Sequence, residues 1–348
     1  MTWVEPQFSR EQVRRAGRDF IDPAISPADR EAARTVINNW RSAHGFPLNS
    51  VQIDLRNKVR RFSSGDPVVA QRTKRLPSIV RKLERFEKMD LPRMHDIGGC
   101  RAVVESIDEV RAIEDFYVSG KSRSRNLIGR HDDYITEPKS DGYRGVHVVV
   151  NYQGQGQQKV WRGLRVEVQL RTKMQHAWAT ALETVDTFTK QALKSNVGDP
   201  EWLRFFALMG AEIAHREGQP LVPGTPTTMS ERRDELRTLA RTLKVAQRLT
   251  AYGRTVLVLE EEVVRKDDRH FLLDLDIPAG KLSVRTYANA AAAEEAYGSL
   301  EGEAEENRDV VLVAVSSMAA LRRAYPNYFL DTSAFVDLVT DVVKAPRR

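Results

Sequence analysis

The most constraining stretch of this chain is LRVEVQLRTKMQHAWATALETVDTF, where two periodicities meet without a break. Val166, Val168 and Leu170 alternate with Glu167, Gln169 and Arg171, which is the period of a strand with one apolar and one polar face. From Lys173 to Phe188 there is no glycine or proline, so the strand passes directly into a helix. A chain built around such a unit is expected to form a mixed sheet flanked by helices.

The segments on either side extend that reading. Ser9 precedes Glu11 and Gln12 in a capping pattern, and Pro27 opens a second helix with Ala32, Ala33, Val36, Ile37 and Trp40 on its apolar side. Ile79, Val80, Leu83 and Phe86 predict a helix over Pro77 to Lys88 whose other faces carry Arg81, Lys82, Arg85 and Lys88. IGGCRAVVES and GVHVVVNY read as strands, with the helix IDEVRAIEDFYVS after the first. The three prolines of EGQPLVPGTP mark a linker, after which Thr228 and Glu231 form a capping box. The helix they open is expected to run to Gly253, with Leu236, Leu239, Leu243, Ala246 and Leu249 as its buried stripe. TVLVLEEEVV, HFLLDLDI, KLSVRTYA and VVLVAVSS then read as strands, AAAAEEAYGSLEGEAEE as a helix, and two short helices close the chain. The expected organisation is a helical extension over 1–50, a catalytic-type domain over 51–216, a linker and helix over 217–253, and a smaller C-terminal α+β module over 254–348.

Composition excludes several classes. The single cysteine, Cys100, sits in an apolar run, which excludes an intramolecular disulfide framework and a multi-thiolate zinc site and points to a small core residue. No run approaches the roughly 20 apolar residues of a membrane span, and the start MTWVEPQFSR lacks the order of a signal peptide, so a cytoplasmic protein with no membrane partner is expected. The net charge of +6 is modest, but basic residues cluster between Arg56 and Lys88. The run Arg56, Lys58, Arg60 and Arg61 favours a polyanionic partner.

Four constellations carry chemistry. In QRTKRLPSIVRKLERF, Arg72, Lys74 and Arg75 precede a helix start, with Ser78, Arg81 and Lys82 in its first turns. Guanidinium forks, ammonium groups and helix amides together suit a triphosphate, although a basic helix alone is usually a solvated face. In HDIGGCRAVV, Asp96 stands before the strand that bears Arg101, a place suited either to a magnesium ligand or to a turn cap. His95 and Asp96 resemble half of an HD hydrolase signature, but nothing upstream completes it. In DYITEPKSDGYRGVHVVV, a polar turn from Lys139 to Gly142 delivers Tyr143, Arg144 and His147, and an aromatic there suits base stacking or plain packing. In VEVQLRTKMQHAW, Glu167 is a second metal carboxylate or a general base, with Gln169 and Arg171 on its strand face and His176 on the next helix; a water-facing strand is the plainer reading. VSGKS at Val118 to Ser122 ends like a P-loop, but Asp115 stands where the first glycine belongs and a helix precedes it.

Together the four segments resemble the synthetase domain of the RelA/SpoT family, which makes the alarmones ppGpp and pppGpp. Arg72, Lys74, Ser78, Ile79 and Lys82 are similar to its RxKxxxSIxxK stretch, DIGGCR to its D-x-x-G-x-R, KSDGYRGVH to its GYxSxH, and VEVQLRT to its EIQIRT. The resemblance covers Phe62 to Phe188. It implies a nucleotidyltransferase-like α/β (α+β) fold in which Arg72, Lys74, Ser78, Lys82 and Arg101 bind ATP, and Asp96 and Glu167 are catalytic and bind Mg2+. It further implies that Tyr143 stacks on the acceptor base while Lys139, His147, Gln169 and Arg171 position acceptor and phosphates. Gly145 stands where many relatives have serine, which opens the identity of the acceptor. The implied activity is pyrophosphate transfer from ATP to the 3′-hydroxyl of GDP or GTP. The second reading is the toxic small-synthetase branch, including CapRel-type fusions, which modifies the 3′ CCA end of tRNA under control of its C-terminal module. A third is an inactive nucleotide-binding sensor. The C-terminal module reads either as a structural or oligomerisation domain or as a lid whose Tyr325 to Phe329 segment packs near the nucleotide site. A homo-oligomer and a protein trigger for that module stay open.

Overall fold

The computed structural model describes residues 3–119, 126–189, 193, 198–254, 257–260, 270–276, 279, 281–303, 308–315, 317–326, 328–329 and 331–344. Three helices lead, α1 (Arg10–Ile21), α2 (Pro27–Ala43) and α3 (Gly45–Phe62). Ser9 and Gln12 close the expected capping box at α1, and Ser26 caps α2 ahead of Pro27. Next come β1 (Val68–Thr73), α4 (Leu76–Arg85), β2 (Gly98–Val104), α5 (Ile107–Val118), β3 (Leu127–Asp133), β4 (Val146–Asn151) and β5 (Arg165–Thr172). The helices α6 (Lys173–Thr189), α7 (Pro200–Arg216), α8 (Met229–Thr242) and α9 (Val245–Arg254) follow. The chain closes with β6 (Leu257–Glu260), β7 (His270–Asp276), β8 (Lys281–Tyr287), α10 (Ala290–Glu303), β9 (Arg308–Ala314), α11 (Met318–Ala324) and α12 (Ser333–Lys344).

The described strands form one nine-stranded mixed sheet in the order β3-β4-β5-β2-β1-β9-β7-β8-β6. β2 and β5 run parallel, and β1 and β4 flank them antiparallel. The alternation read in β5 sets the two faces. Val166, Val168 and Leu170 pack with Val146, Val148, Cys100, Ala102, Leu48, Val51 and Leu55 under α3 and α5, so the polar residues of β5 and β2 look out on the other side. Cys100 lies in that core, where burial pushes its thiol pKa well up, as befits a packing residue.

The C-terminal strands extend the same sheet. β9 pairs with β1 through Gln71↔Ala314 and Arg72↔Val313, and Val68, Ala70 and Val103 share a core with Phe271, Val311, Val313, Leu321 and Tyr325. A helical layer built from α6, α7, α8, α9 and α12 buries Trp178, Trp202, Phe205, Phe206, Leu236, Leu249 and Phe335.

Three local expectations change. The helix expected to run from Thr228 to Gly253 is two, because Lys244 adopts φ 50° and breaks the ladder between α8 and α9. α4 stops at Arg85 rather than Lys88, with Phe86 extended and exposed. β1 and β3, absent from the sequence reading, are strands. Of TVLVLEEEVV only 257–260 are described, and residues 120–125, which hold the GKS triplet, lie outside the described residues.

Candidate functional site

Two rows of residues cross the polar face of the sheet. Register places Arg72 beside Gly99 and Gly99 beside Glu167; the next row runs from Arg101 to Gln169 to His147. Gly99 has no side chain, so the row between Arg72 and Glu167 has an open floor. An added Cβ there would meet only backbone oxygens of Arg72 and Glu167, at 3.9 and 4.0 Å.

At one end of this face stands the basic segment. The Lys74 N–H donates to the Ile97 carbonyl at 2.8 Å, continuing the β1–β2 ladder past its end, beside Asp96. Lys74 Nζ lies 2.6 Å from one Asp96 carboxylate oxygen and Lys82 Nζ, from α4, 2.9 Å from the other. Burial would raise the Asp96 pKa, but the two ammonium groups overcome it and hold the carboxyl well below its usual range. Burial outweighs the same ion pair at Lys74, whose pKa is lowered. Ser78 lies in the first turn of α4, 3.4 Å from Arg81 Nη2.

The other carboxylate, Glu167, is 3.1 Å from His147 Nδ1 and accepts from Gln169 Nε2 at 2.6 Å. Burial and Asp96 would raise its pKa, but His147 and Gln169 bring it down to about 2. Burial opposes a charged His147, yet Tyr143 and Glu167 carry its pKa up to about 9. Among the described residues no group of three or more His, Cys, Asp or Glu side chains gathers as a metal cage. Two ionised carboxylates on one polar face nonetheless fit magnesium, which commonly takes one or two protein carboxylates and completes its shell with phosphates and water.

The Tyr143 hydroxyl is 2.5 Å from His147 Nε2 and accepts from Arg171 Nη2 at 2.8 Å. Burial would raise its pKa, but Arg171 and His147 pull it down to about 8. Lys139 Nζ stands 4.1 Å from the Tyr134 ring and 5.2 Å from the Tyr143 ring. Tyr134, which the sequence reading missed, meets Tyr143 and His147 edge to face at 5.7 and 5.3 Å. Its only signal was an aromatic in the polar run before Lys139. Gly145 has φ +148°, and a Cβ there would approach Arg171 Cγ and the Leu170 carbonyl at 3.2 Å, so a side chain would be strained at this position.

The twelve residues to which the resemblance assigns a role lie on β1, β2, β4, β5 and α4 or in the loops that lead into α4, β2 and β4. The flanking candidates fare differently. His176 is buried with Nε2 3.1 Å from the Arg323 carbonyl; burial and the nearby arginines lower its pKa to about 3, so it contacts α11. Lys58 of the basic run is buried on the opposite side of the sheet, paired with Asp54 and 4.5 Å from the Tyr117 ring, so it is not available to an external polyanion.

The C-terminal module reaches into the site. Arg101 lies 5.6 Å from the Tyr325 ring and donates to the Ala324 carbonyl at 3.2 Å, and Arg75 lies 6.0 Å from the Tyr328 ring. Both tyrosines are buried. Burial opposes the charge of Arg72, but Tyr325, Tyr328, Glu183 and Asp96 around it raise its pKa above the ordinary value. Glu183, on α6, also acts on Arg101.

Residues 71–187 match the profile described as the region found in RelA / SpoT proteins. The chain is 32% identical over 117 residues to the GTP pyrophosphokinase YjbM of Bacillus subtilis, covering 32% of this chain and 52% of that one. It is 24% identical over 204 residues to the GTP pyrophosphokinase YwaC of the same organism, covering 55% of this chain and 92% of YwaC. An Escherichia coli GTP pyrophosphokinase is 30% identical over 105 residues, of which this chain spans only 12% of the length. Of the first of these relatives the chain thus spans about half. The small alarmone synthetase 1 of Bacillus subtilis bound to pppGpp aligns with a TM-score of 0.41 at 23% identity, over 53% of this chain and 92% of that one.

Proposed function

The chain carries a RelA/SpoT-type domain over residues 71–187, and from that premise we propose that it is a pyrophosphokinase that moves the β,γ-pyrophosphate of ATP to the 3′-hydroxyl of GDP or GTP. The observation that carries this reading is the pair Asp96 and Glu167, two half-buried carboxylates held ionised, one just ahead of β2 and one on the polar face that also bears Arg72 and Arg101.

In this reading Arg72, Lys74, Ser78, Lys82 and Arg101 hold the ATP phosphates, and Asp96 and Glu167 hold magnesium. Bound there, magnesium would supply charge neutralisation of the donor phosphates. Lys74 and Lys82 pair with Asp96, and in this reading both ammonium groups also neutralise phosphate oxygens of bound ATP. The acceptor lies toward Tyr143, Lys139 and His147, with Gln169 and Arg171 fixing Glu167 and the tyrosine. The acceptor hydroxyl forms a bond to the β-phosphorus, the bond from that phosphorus to the α,β-bridging oxygen breaks, and AMP leaves. In this reading Glu167 takes the hydroxyl proton. In-line positioning and charge stabilisation account for such a transfer without a protein nucleophile.

A second acceptor to test is the 3′ end of tRNA, because Gly145 stands where many relatives have serine and opens the identity of the acceptor. The left-handed backbone of Gly145 and its close approach to Arg171 give the acceptor loop a path that a serine would not follow without strain. In either case the module controls the site in cis, with Tyr325 and Tyr328 occluding the arginines that would bind donor phosphates. Incubation of the protein with ATP labelled in the β-phosphate and GDP, GTP or deacylated tRNA tests the proposal. Label in a guanine nucleotide supports the first acceptor, label in tRNA alone replaces it with the second, and no transfer by a Tyr325→Ala, Tyr328→Ala variant leaves a nucleotide sensor.

A further inference from the structure

The helix α4 presents Ser78 and Lys82, yet it has no cap of its own. Arg75 occupies the N-cap position without a side-chain bond to the helix, and the first turn has no acidic residue. The cap comes from α10, 225 residues further along the chain: Glu301 Oε1 accepts from the Leu76 N–H at 2.9 Å. The same carboxylate accepts from Arg41 at 2.6 and 3.0 Å and from the Tyr297 hydroxyl at 2.6 Å. Arg41, from α2, donates through Nε to the Lys74 carbonyl at 3.0 Å and through Nη2 to the Tyr297 hydroxyl at 2.7 Å. The Arg41 and Glu301 side chains are 5% and 7% exposed. One buried, bidentate ion pair therefore grips the basic segment on both sides of Arg75, by the carbonyl of Lys74 and the amide of Leu76. Neither partner lies within the RelA/SpoT match.

We infer that Arg41 and Glu301 are positioning residues of the donor clamp, so that the module which covers the site with its tyrosines also sets the geometry of the segment that would bind ATP. What the clamp holds rests on the pyrophosphokinase reading; the gripping of Lys74 and Leu76 does not. The module thus acts in two directions. Tyr325 and Tyr328 oppose donor entry, whereas Glu301 fixes the helix start on which donor binding depends. Removing the whole module would relieve the first effect and abolish the second, so truncation confounds them.

The test separates them in a Tyr325→Ala, Tyr328→Ala background carrying Glu301→Ala, Glu301→Gln or Arg41→Lys. Amide hydrogen exchange across Leu76 to Lys82 reads the cap directly. Loss of an N-cap predicts exchange on the order of tenfold faster in Glu301→Ala. The KM for ATP is expected to rise by a similar factor while the acceptor KM stays unchanged, with Glu301→Gln intermediate because its amide oxygen still accepts from Leu76. Unchanged exchange with unchanged donor KM in a folded Glu301→Ala variant overturns the inference, and so does a fall in donor KM, which would make Glu301 a competitor of phosphate. If Glu301→Ala does not fold, Glu301→Gln and Arg41→Lys decide by the same readings. If no variant transfers pyrophosphate, the proposed function fails, and the exchange rates alone still judge the positioning role.

Discussion

Gly210 of α7 meets Gly142 of the loop before β4 backbone to backbone: a Cβ on Gly210 would stand against the Gly142 carbonyl oxygen and 2.7 Å from its Cα. Gly142 itself has φ +94°, and a Cβ there would fall 2.7 Å from the Phe206 carbonyl. The loop that delivers Tyr143 is thus shaped by close contact with a helix outside the RelA/SpoT match. Gly210→Ala is expected to cost about 1–3 kcal/mol, as overpacking does, and to raise the acceptor KM with the ATP KM unaffected. Thermal melts and a KM comparison for the two substrates check both effects.

Replacing Tyr325 and Tyr328 with alanine should expose Arg72, Arg75 and Arg101. ATP binding, measured by calorimetry in the presence of magnesium, is expected to tighten about 5- to 150-fold, the range of a typical coupling between a regulatory element and a site. Phenylalanine at both positions keeps the rings and should leave binding nearly as weak as in the parent protein. Equal affinities for all three proteins would remove occlusion from the account.

Asp96→Asn and Glu167→Gln keep size and shape and remove charge. Each is expected to lower transfer by a factor on the order of 10² or more. Asp96→Asn has a second consequence in the nucleotide-free protein, because Lys74 and Lys82 then share a neutral partner. Its melting temperature should fall at neutral pH, and added ATP with magnesium should restore less stability than it gives the parent.

Glu294 of α10 is held against α2 and α3, where a Cβ on Gly45 would approach its Oε1 at 3.1 Å. Burial raises its pKa to about 7, against the opposing pull of Ser42 and Arg41. The unfolded chain gives up that proton near an ordinary glutamate pKa of about 4.3, so stability is fully present below that pH and is lost as pH rises through 7. Glu294→Gln should melt higher than the parent at pH 8, and the difference should shrink as pH falls and vanish near pH 4. A constant difference across that range would exclude Glu294 as the source.

The sequence carried the site further than the architecture. The alternation of β5 is local, and so are the residue spacings around Arg72, Asp96 and Tyr143, which is why the two polar rows were legible. Much else depended on partners distant along the chain. β1 is a six-residue strand whose hydrogen bonds go to β2 and to β9, and no periodicity within VVAQRT announces that. Glu301 reads as one more acid on a solvated helix until Leu76 and Arg41 are brought to it. Lys58 shows the opposite error, since a basic run looks external until Asp54 and the rings of Phe116 and Tyr117 close around one member. Tyr134 gains its place from Lys139 and His147, and no spacing rule links the three.

The seam between β1 and β9 joins Arg72 to Val313, about 240 residues apart in the order of synthesis. At translation rates of roughly 5–20 residues per second, the strand that carries Arg72 leaves the ribosome on the order of tens of seconds before the segment that covers it. The growing chain is therefore a form of this protein in which the arginines have no tyrosine beside them. Until Glu301, Tyr325 and Tyr328 have been made, the basic segment has neither its helix cap nor the rings that lie against its arginines.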